Sequence, residues 1–518
     1  MGLSAGCAEV SYPPDIDDAE RERLVQTIKD WGIAHGLAVR PPPAVIASDA
    51  DPQGILATNA PVTLFPSPFP KSSFEEAKAV QTAYNKLYAD VSRDEAFLGQ
   101  IVQEVSGDDF ISQLWHVHQR VKAEGYVQKL SLGLFRSDYM VHQDSTDPTK
   151  APQIKQVEFN TIASSFGGLS SKTCELHRFL ASTEYPQLKQ SNANHGYDLP
   201  ENDSAKGLAA GIKAAHDAYG DSALGHQRCV LFLVQGGERN VFDQRHLEYA
   251  LQSLSPGLLV FRLPFAEILQ RTSIAQTDRR QLLYKSPTNP DKVFEVSVVY
   301  LRAGYGPGDY PTPADWDARY QIERSNAIKC PTVLTQLAGA KKVQQVLATP
   351  VTQSQPSELH RFVPDDSGAS KQIRNTFTHI YPLDDSEAGQ QARKLALDPK
   401  ECLKYVLKPQ REGGGNNYYK AKIPAHLNSV PEESWKSYIL MELITPPPVA
   451  NIILRNGSLE QGGVICELGI YGTCVWDQGT GDVVHNAEAG YLLRTKGDQS
   501  EEGGVAAGFG CMDSCTLV

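Results

Sequence analysis

The sequence predicts an α/β protein built from several domains, and three observations carry that prediction. At 518 residues the chain is too long for one ordinary hydrophobic core and corresponds to roughly three domain-sized units. Between Cys229 and about Pro331, strand-like apolar runs (Val230-Leu-Phe-Leu-Val234, Leu258-Leu-Val-Phe261 and Val293 to Leu301) are separated by helical stretches, the texture of a small layered domain. Helical stretches occur in the first 130 residues, and strand-like runs return after Lys400.

Taken in order, Ser73-Phe-Glu-Glu76 has capping-box spacing, and Val80, Tyr84, Leu87, Tyr88 and Val91 follow at helical intervals. Ile154 to about Thr161 reads as a strand. Ser191 to Ser204, rich in Asn and Asp, reads as a linker or surface loop, and Leu208, Ile212 and Ala215 predict one more helix. The stretch from Lys341 to Lys400 is polar and helix-prone. After it come Tyr405-Val-Leu-Lys408, Tyr438-Ile-Leu-Met-Glu442 and Val464 to Ile470. In the last of these, Val464, Cys466, Leu468 and Ile470 alternate against Glu467, which turns that carboxylate away from the core side. Gly503 to Gly510 is glycine-rich, and no internal repeat is visible.

Composition narrows the function classes. With 41% hydrophobic and 21% charged residues the chain is globular rather than disordered or fibrous. A net charge of −12 repels nucleic acid and anionic membranes, so an anionic ligand requires cations concentrated locally. No apolar run is long enough to span a membrane, and Met1 to Asp18 lacks the basic-then-apolar order of a secretory signal, which predicts a cytoplasmic protein. The nine cysteines form no CxxC pair, and Cys229 and Cys466 sit in apolar runs as small core residues. Cys515-Thr-Leu-Val518 lacks the aliphatic residue and the upstream basic run of a prenylation signal. The sequons at Asn202 and Asn456 have no meaning without secretion. His142 and His177 lack metal-ligand spacing and read as surface or capping residues, and there is no GxSxG or HExxH motif.

Four groups of residues carry potential chemistry. Lys408-Pro-Gln-Arg-Glu-Gly-Gly-Gly-Asn-Asn417 sets three bare glycines beside two cations, which suits either a phosphate-wrapping loop or a flexible surface turn. It is neither a Walker loop nor a GxGxxG fingerprint. In Lys155-Gln-Val-Glu-Phe-Asn160, Glu158 and Asn160 share one face of a strand about 7 Å apart, an oxygen pair suited to Mg²⁺ or simply to a solvated face. Arg494 and Lys496 precede the glycine-rich Glu501 to Gly508, which fits either an anion site or a mobile tail. Arg136, Glu238 to Gln244 and Arg302 to Tyr305 are individually explained by surface ion pairs.

In their order along the chain, from about Arg136 onward, these segments resemble eukaryotic glutathione synthetases. The most specific stretches are Gln156 to Gly168, Glu238 to Gln244, Leu337 to Gln345, Lys408 to Asn417 and Arg494 to Gly508. The resemblance implies an ATP-grasp fold whose core is formed by residues 1–227 and 337–518, with an inserted substrate-binding domain at 228–336. It places a glycine-rich lid at about 400–445 and a substrate loop at about 494–508. By position, Glu158, Asn160 and Glu412 would hold two Mg²⁺ ions per subunit. ATP would be met by Glu158, Lys341, Lys408, Pro409, Gln410, Arg411, Glu412, Gly413, Gly414, Gly415, Asn416, Asn417 and Tyr419, together with Met441, Glu442, Leu443, Ile444, Glu467, Lys496 and Glu502. Glu502 stands where the family often has Asp.

For the dipeptide γ-glutamylcysteine, the resemblance points to Ile162, Ala163, Ser164, Ser165, Glu238, Arg239, Asn240, Gln244, Arg302, Ala303, Gly304, Tyr305, Val505 and Ala506, with Arg136 and Arg494 in catalytic roles. Ala303 replaces an acidic residue of some relatives, so its contact there runs through the backbone. The implied reaction is the second step of glutathione biosynthesis: glycine is ligated to the dipeptide through an acyl phosphate, in a homodimer with no nucleic-acid or membrane partner. Val505-Ala-Ala507 is compact where homoglutathione-type relatives carry bulkier Leu-Pro, which favours glycine over β-alanine or serine as acceptor. A catalytically silent peptide binder on the same fold is the alternative from another class.

Overall fold

The computed structural model describes residues 12–47, 49–144, 150–183, 197–350, 357–500, 505 and 510–518. Three sheets organise them, and the largest has seven strands in the order Val449–Arg455, Val62–Thr63, Cys511–Asp513, Val483–Gly497, Ser458–Asp477, Leu130–His142 and Gln153–Asn160. Val449–Arg455 also pairs with Ser458–Asp477, so the sheet curls back on itself. The hairpin between them turns at Asn456-Gly457, with φ 49° and 82°, the left-handed pair that a two-residue turn requires.

Helices Lys71–Arg93 and Ser204–Tyr219 pack on this sheet. The first buries Val80, Tyr84, Leu87, Tyr88 and Val91, and Tyr88 stacks on Phe159 of the sheet with ring centroids 3.7 Å apart. Each such burial contributes about 1.5–3 kcal/mol. The helix starts at Lys71 rather than at the Ser73 capping box, because Pro70, at φ −59°, already begins the turn and leaves Ser73 buried within it. Leu208, Ile212 and Ala215 are the buried face of Ser204–Tyr219.

Residues 227–330 form a six-stranded sheet. Gln227–Val234, Leu259–Pro264, Asn289–Leu301 and Ile328–Cys330 run parallel, while Leu282–Ser286 and Thr272–Ile274 add an antiparallel edge. Cys229 to Val234 is buried without alternation, as expected of a strand covered on both faces.

A four-stranded antiparallel sheet joins Ile380–Pro382, Tyr438–Glu442, Tyr405–Pro409 and Tyr418–Tyr419 over a core that includes Leu383, Leu407, Ile423 and Leu440. Ile380–Pro382 lies inside the stretch read as helix-prone, which otherwise yields the helices Lys341–Ala348, Gly368–Thr376 and Glu387–Leu397. Three residues are too few to display a period of two, and Pro382 is tolerated because the strand lies at the edge.

Some polar residues read as surface features are internal. His177 is buried, its Nδ1 2.6 Å from Ser514 Oγ and its Nε2 3.0 Å from the Thr63 carbonyl. Asn202 is buried too, pairing with the Tyr491 backbone at 2.7 and 3.0 Å. Buried Asp513 accepts from Thr63 Oγ1, Ser67 Oγ and Thr495 Oγ1 at 2.6–2.7 Å, tying three distant segments together. Cys515 is fully buried in a strand, Cys515–Leu517, that runs beside Ser67–Phe69. No helix among the described residues is long and apolar enough to cross a membrane.

Candidate active site

A cavity of about 940 Å³ opens between the seven-stranded and four-stranded sheets. From the seven-stranded sheet come Arg136, Glu158, Asn160, Glu467, Arg494 and Lys496. From the four-stranded sheet and its loops come Lys408, Glu412, Gly413, Gly414, Asn417, Tyr419 and Met441 to Ile444. A third wall is built by Ile162 to Ser165, Glu238, Asn240, Arg302, Tyr305 and Val505. Strand alternation explains the first group: Glu467 is half-buried between buried Cys466 and Leu468, so its carboxylate faces the cavity.

Other residues named from the sequence lie elsewhere. Pro409, Arg411, Gly415 and Asn416 border a second cavity of about 350 Å³ behind the glycine loop, and Asn417 borders both. Arg411 pairs there with Asp108, the N-cap of the helix Asp109–Glu124. Gln410 is buried, accepting from Lys342 N and donating to the Ser437 carbonyl. Gln244 bridges Glu238 and Arg262, the Arg239 side chain donates to the Arg40 carbonyl, and Ala303 and Gly304 are buried behind the wall. Glu502 and Ala506 lie outside the described residues. Met140, Val157, Phe166, Val406, Lys420, Lys422, Asp498, Gln499 and Ser500 also border the main cavity, none of them named individually as a site residue from the sequence.

Local chemistry shapes two of the walls. The Ile162–Phe166 loop holds Ala163 at φ 51° and Phe166 at φ 76°. Asp243 compensates by accepting from the backbone N–H groups of Phe166, Gly168 and Leu169 at 2.7–3.2 Å, which caps the helix Gly167–Ser182 from another segment. Gly168 is required by space, since a Cβ there would lie 2.6 Å from the Asp243 carbonyl. On the opposite side, Tyr405–Pro409 runs into Gly413 to Gly415, where φ reaches 81° and 91° at the two ends, and the chain returns in Tyr418–Tyr419.

The cavity concentrates charge that the chain as a whole lacks. Lys341 is buried behind the lining, with its Nζ 3.2 Å from both Glu158 Oε2 and Glu412 Oε1, which border the cavity. Burial opposes the Lys341 ammonium, but the two carboxylates outweigh it and push its pKa up. Burial would likewise raise Glu158, yet Lys341, Lys408, Arg494 and Arg136 hold it low. Glu412 moves the other way, raised by burial beyond what Lys341 offsets. Lys408, buried and lowered by desolvation, donates to the Val157 carbonyl at 2.9 Å. Arg136 spans Asp138 at 2.6 and 2.9 Å and donates to the Ser165 carbonyl at 3.1 Å. Arg494 reaches both Asp138, at 3.0 Å, and Glu467. Arg302 is buried and donates from Nη2 to Ser165 Oγ at 2.6 Å, while its Nε and Nη1 have no partner.

Among the described residues no three His, Cys, Asp or Glu side chains gather into a metal-ligating group. The available donors are the Glu158 and Glu412 carboxylates and an amide oxygen. Asn160 commits its Nδ2 to the Arg136 carbonyl and to Asp138, which leaves Oδ1 as an acceptor on the cavity wall. Three hard oxygen donors fit Mg²⁺, which completes its shell with water and phosphate oxygens.

Comparison with known proteins gives this architecture its relatives. A family model described as the ATP binding domain of eukaryotic glutathione synthase matches residues 18–517. The glutathione synthetase large chain of Schizosaccharomyces pombe is 40% identical over 514 residues, covering 96% of this chain and 97% of its own. The chain belongs to the eukaryotic glutathione synthetase family. Human glutathione synthetase is also 40% identical, over 501 residues and the same shares of both chains. A solved structure of a glutathione synthetase-like effector from Globodera pallida in its apo form superposes with a TM-score of 0.72 at 22% identity, covering 97% of this chain and 98% of that one, and so shares the fold of this family member.

Proposed function

We infer that this family member is an ATP-dependent glutathione synthetase that joins glycine to γ-glutamylcysteine. The observation that carries the reading is the cavity itself. It sets seven cationic side chains against six carboxylates, with the amide oxygen of Asn160, between two sheets in a chain of net charge −12. In this reading ATP lies between the sheets, against Lys408, Met441 to Ile444, Glu467 and Lys496, and the dipeptide lies against Arg136, Ser164, Ser165, Glu238, Arg302 and Tyr305. Residues 228–336 act as the inserted substrate domain and about 400–445 as the lid. We place the protein in the cytoplasm, as a homodimer.

The cysteinyl carboxylate attacks the γ-phosphorus of ATP, the bond to ADP breaks, and an acyl phosphate forms. Glycine's amine attacks the acyl carbon, the C–O bond to phosphate breaks, and the amine proton passes to solvent. Lys341, Lys408 and the cavity arginines supply positive charge where it develops on the transferring group, so catalysis is positioning and electrostatics and needs no protein nucleophile. Glu158, Asn160 and Glu412 would hold two Mg²⁺, which supply further charge neutralisation to the phosphates when bound. Incubating the protein with ATP, Mg²⁺, γ-glutamylcysteine and an equimolar mixture of glycine, serine and β-alanine should give glutathione, ADP and phosphate by mass spectrometry. No glutathione from correctly folded protein would refute the reading.

The lid makes a separate demand. Gly413 and Gly414 are exposed, and freezing them costs backbone entropy that phosphate oxygens at their N–H groups would offset. Limited proteolysis should cut between residues 411 and 418 in the free protein and be suppressed by ATP with Mg²⁺. Equal cleavage at saturating nucleotide would mean that the loop does not close over it.

A further inference from the structure

Arg136 and Arg494 reach the cavity from strands that are not neighbours. Leu130–His142 and Val483–Gly497 flank Ser458–Asp477, which runs between them. Asp138, two residues from Arg136 on the same strand face, links them. Its Oδ1 accepts from Arg136 Nε at 2.6 Å, and its Oδ2 accepts from Arg136 Nη2 at 2.9 Å, Arg494 Nη2 at 3.0 Å and Asn160 Nδ2 at 3.0 Å. The carboxylate is wholly buried and does not border the cavity, so substrate cannot touch it.

The intervening strand makes room for this cluster at one residue. Gly469 pairs with Asp138 across the sheet, and a Cβ on it would lie 2.7 Å from Arg136 Cδ and 2.8 Å from Asp138 Oδ1. Its φ is not positive, so space alone requires glycine there. Any larger residue would push the Arg136 and Asp138 side chains off the strand that separates the two arginines.

We propose that Asp138, seated over Gly469, is a positioning residue that fixes Arg136, Arg494 and Asn160 in one register and so aligns the dipeptide side of the site with its metal side. Two guanidiniums converging in a buried site repel each other, and the shared carboxylate both offsets that repulsion and sets the plane of each fork. With Arg136 Nη1 also held by the Ser165 carbonyl, the guanidinium has little rotational freedom left. Asn160, held through its nitrogen by the same carboxylate, presents its oxygen. The inference rests on the glutathione synthetase reading for the identity of the substrates.

The test compares wild type with D138N and G469A. D138N keeps the shape of the hub but removes its charge and sets an amide donor against two guanidiniums. G469A keeps every charge and displaces only the cluster. Displacement of an orienting group by about 1 Å costs on the order of 100-fold in turnover. Both variants should therefore lose turnover on that scale and bind γ-glutamylcysteine more weakly by calorimetry without ATP, while the KM for ATP, which also depends on Glu158, Glu412 and Lys408, rises by a clearly smaller factor. A residue that merely supports the fold would lower the melting temperature and weaken both substrates alike. Should D138N not fold, G469A decides. Folded G469A with wild-type affinity for the dipeptide, or an equal loss for both substrates, overturns the proposal. Glutathione formation by wild type tests the functional reading separately, because the calorimetric comparison does not depend on turnover.

Discussion

Lys341→Met is expected to lower turnover on the order of 10²–10³-fold and to destabilise the nucleotide-free protein by about 3–5 kcal/mol. The lysine side chain is 5% exposed and is shared between Glu158 and Glu412 at 3.2 Å each. Removing it leaves two carboxylates facing one another on the cavity wall, where they are only 25% and 16% exposed and solvent screens them in part. The catalytic loss has a different origin, since a buried cation beside the proposed phosphate position offsets charge that grows during phosphoryl transfer. The two effects should therefore separate. Adding Glu412→Gln to Lys341→Met removes one of the opposed charges and should recover most of the stability but none of the turnover. Urea denaturation and steady-state rates on the two single variants and the double variant supply the cycle. A Lys341→Met protein of unchanged stability and near-normal rate would show that the lysine is incidental.

Arg302→Met is expected to act on substrate binding more than on stability. Burial opposes the guanidinium, but Tyr300, Asp243 and Glu238 outweigh it and hold the group charged, while its Nε and Nη1 have no hydrogen-bond partner. A methionine of similar length removes the desolvation and those attractions together, so stability should change by less than about 1 kcal/mol. In the proposed complex a carboxylate of the dipeptide is the partner those nitrogens lack, and a hydrogen bond to a charged group contributes about 1.5–3 kcal/mol. Losing that interaction should raise the dipeptide KM by roughly 10- to 150-fold and leave the KM for ATP unchanged. Arg302→Lys should not restore affinity, because a single ammonium cannot reproduce the fork held against Ser165 Oγ. Reduced melting temperature with an unaltered dipeptide KM would make Arg302 a structural residue instead.

What the sequence displayed and what it concealed follow from the range of the interactions. The helix Lys71–Arg93 and the strand Gln153–Asn160 are written in local periodicity, and the same period of two placed Glu158 and Asn160 on one face. The gathering of Arg136, Glu238, Arg302 and Arg494 came from resemblance, because no local pattern joins those positions. Asp138 escaped notice although Arg136-x-Asp138 has strand spacing. Its importance lies in partners 22 and 356 residues away, whose proximity only the fold reveals. Lys341 likewise meets Glu412 across 71 positions. Asn202 and His177 looked like surface residues because polar side chains are mostly exposed, and their buried partners lie 289 residues away for Asn202 and 337 and 114 residues away for His177.

The pairing of residues 511–517 with Val62–Thr63 and Ser67–Phe69 bears on how the chain acquires its structure during synthesis. While the first 500 residues leave the ribosome, the strand that belongs between Val62–Thr63 and Val483–Gly497 does not yet exist. Thr63, Ser67 and Thr495 wait for the carboxylate of Asp513, and His177 waits for Ser514. A sheet completed by its most distant segment cannot form from the N-terminus forward as translation proceeds. Four of its seven strands come from residues 449–513, so the apolar faces of Leu130–His142 and of the helix Lys71–Arg93 stay uncovered for most of synthesis, the state in which chaperones bind and from which aggregation starts.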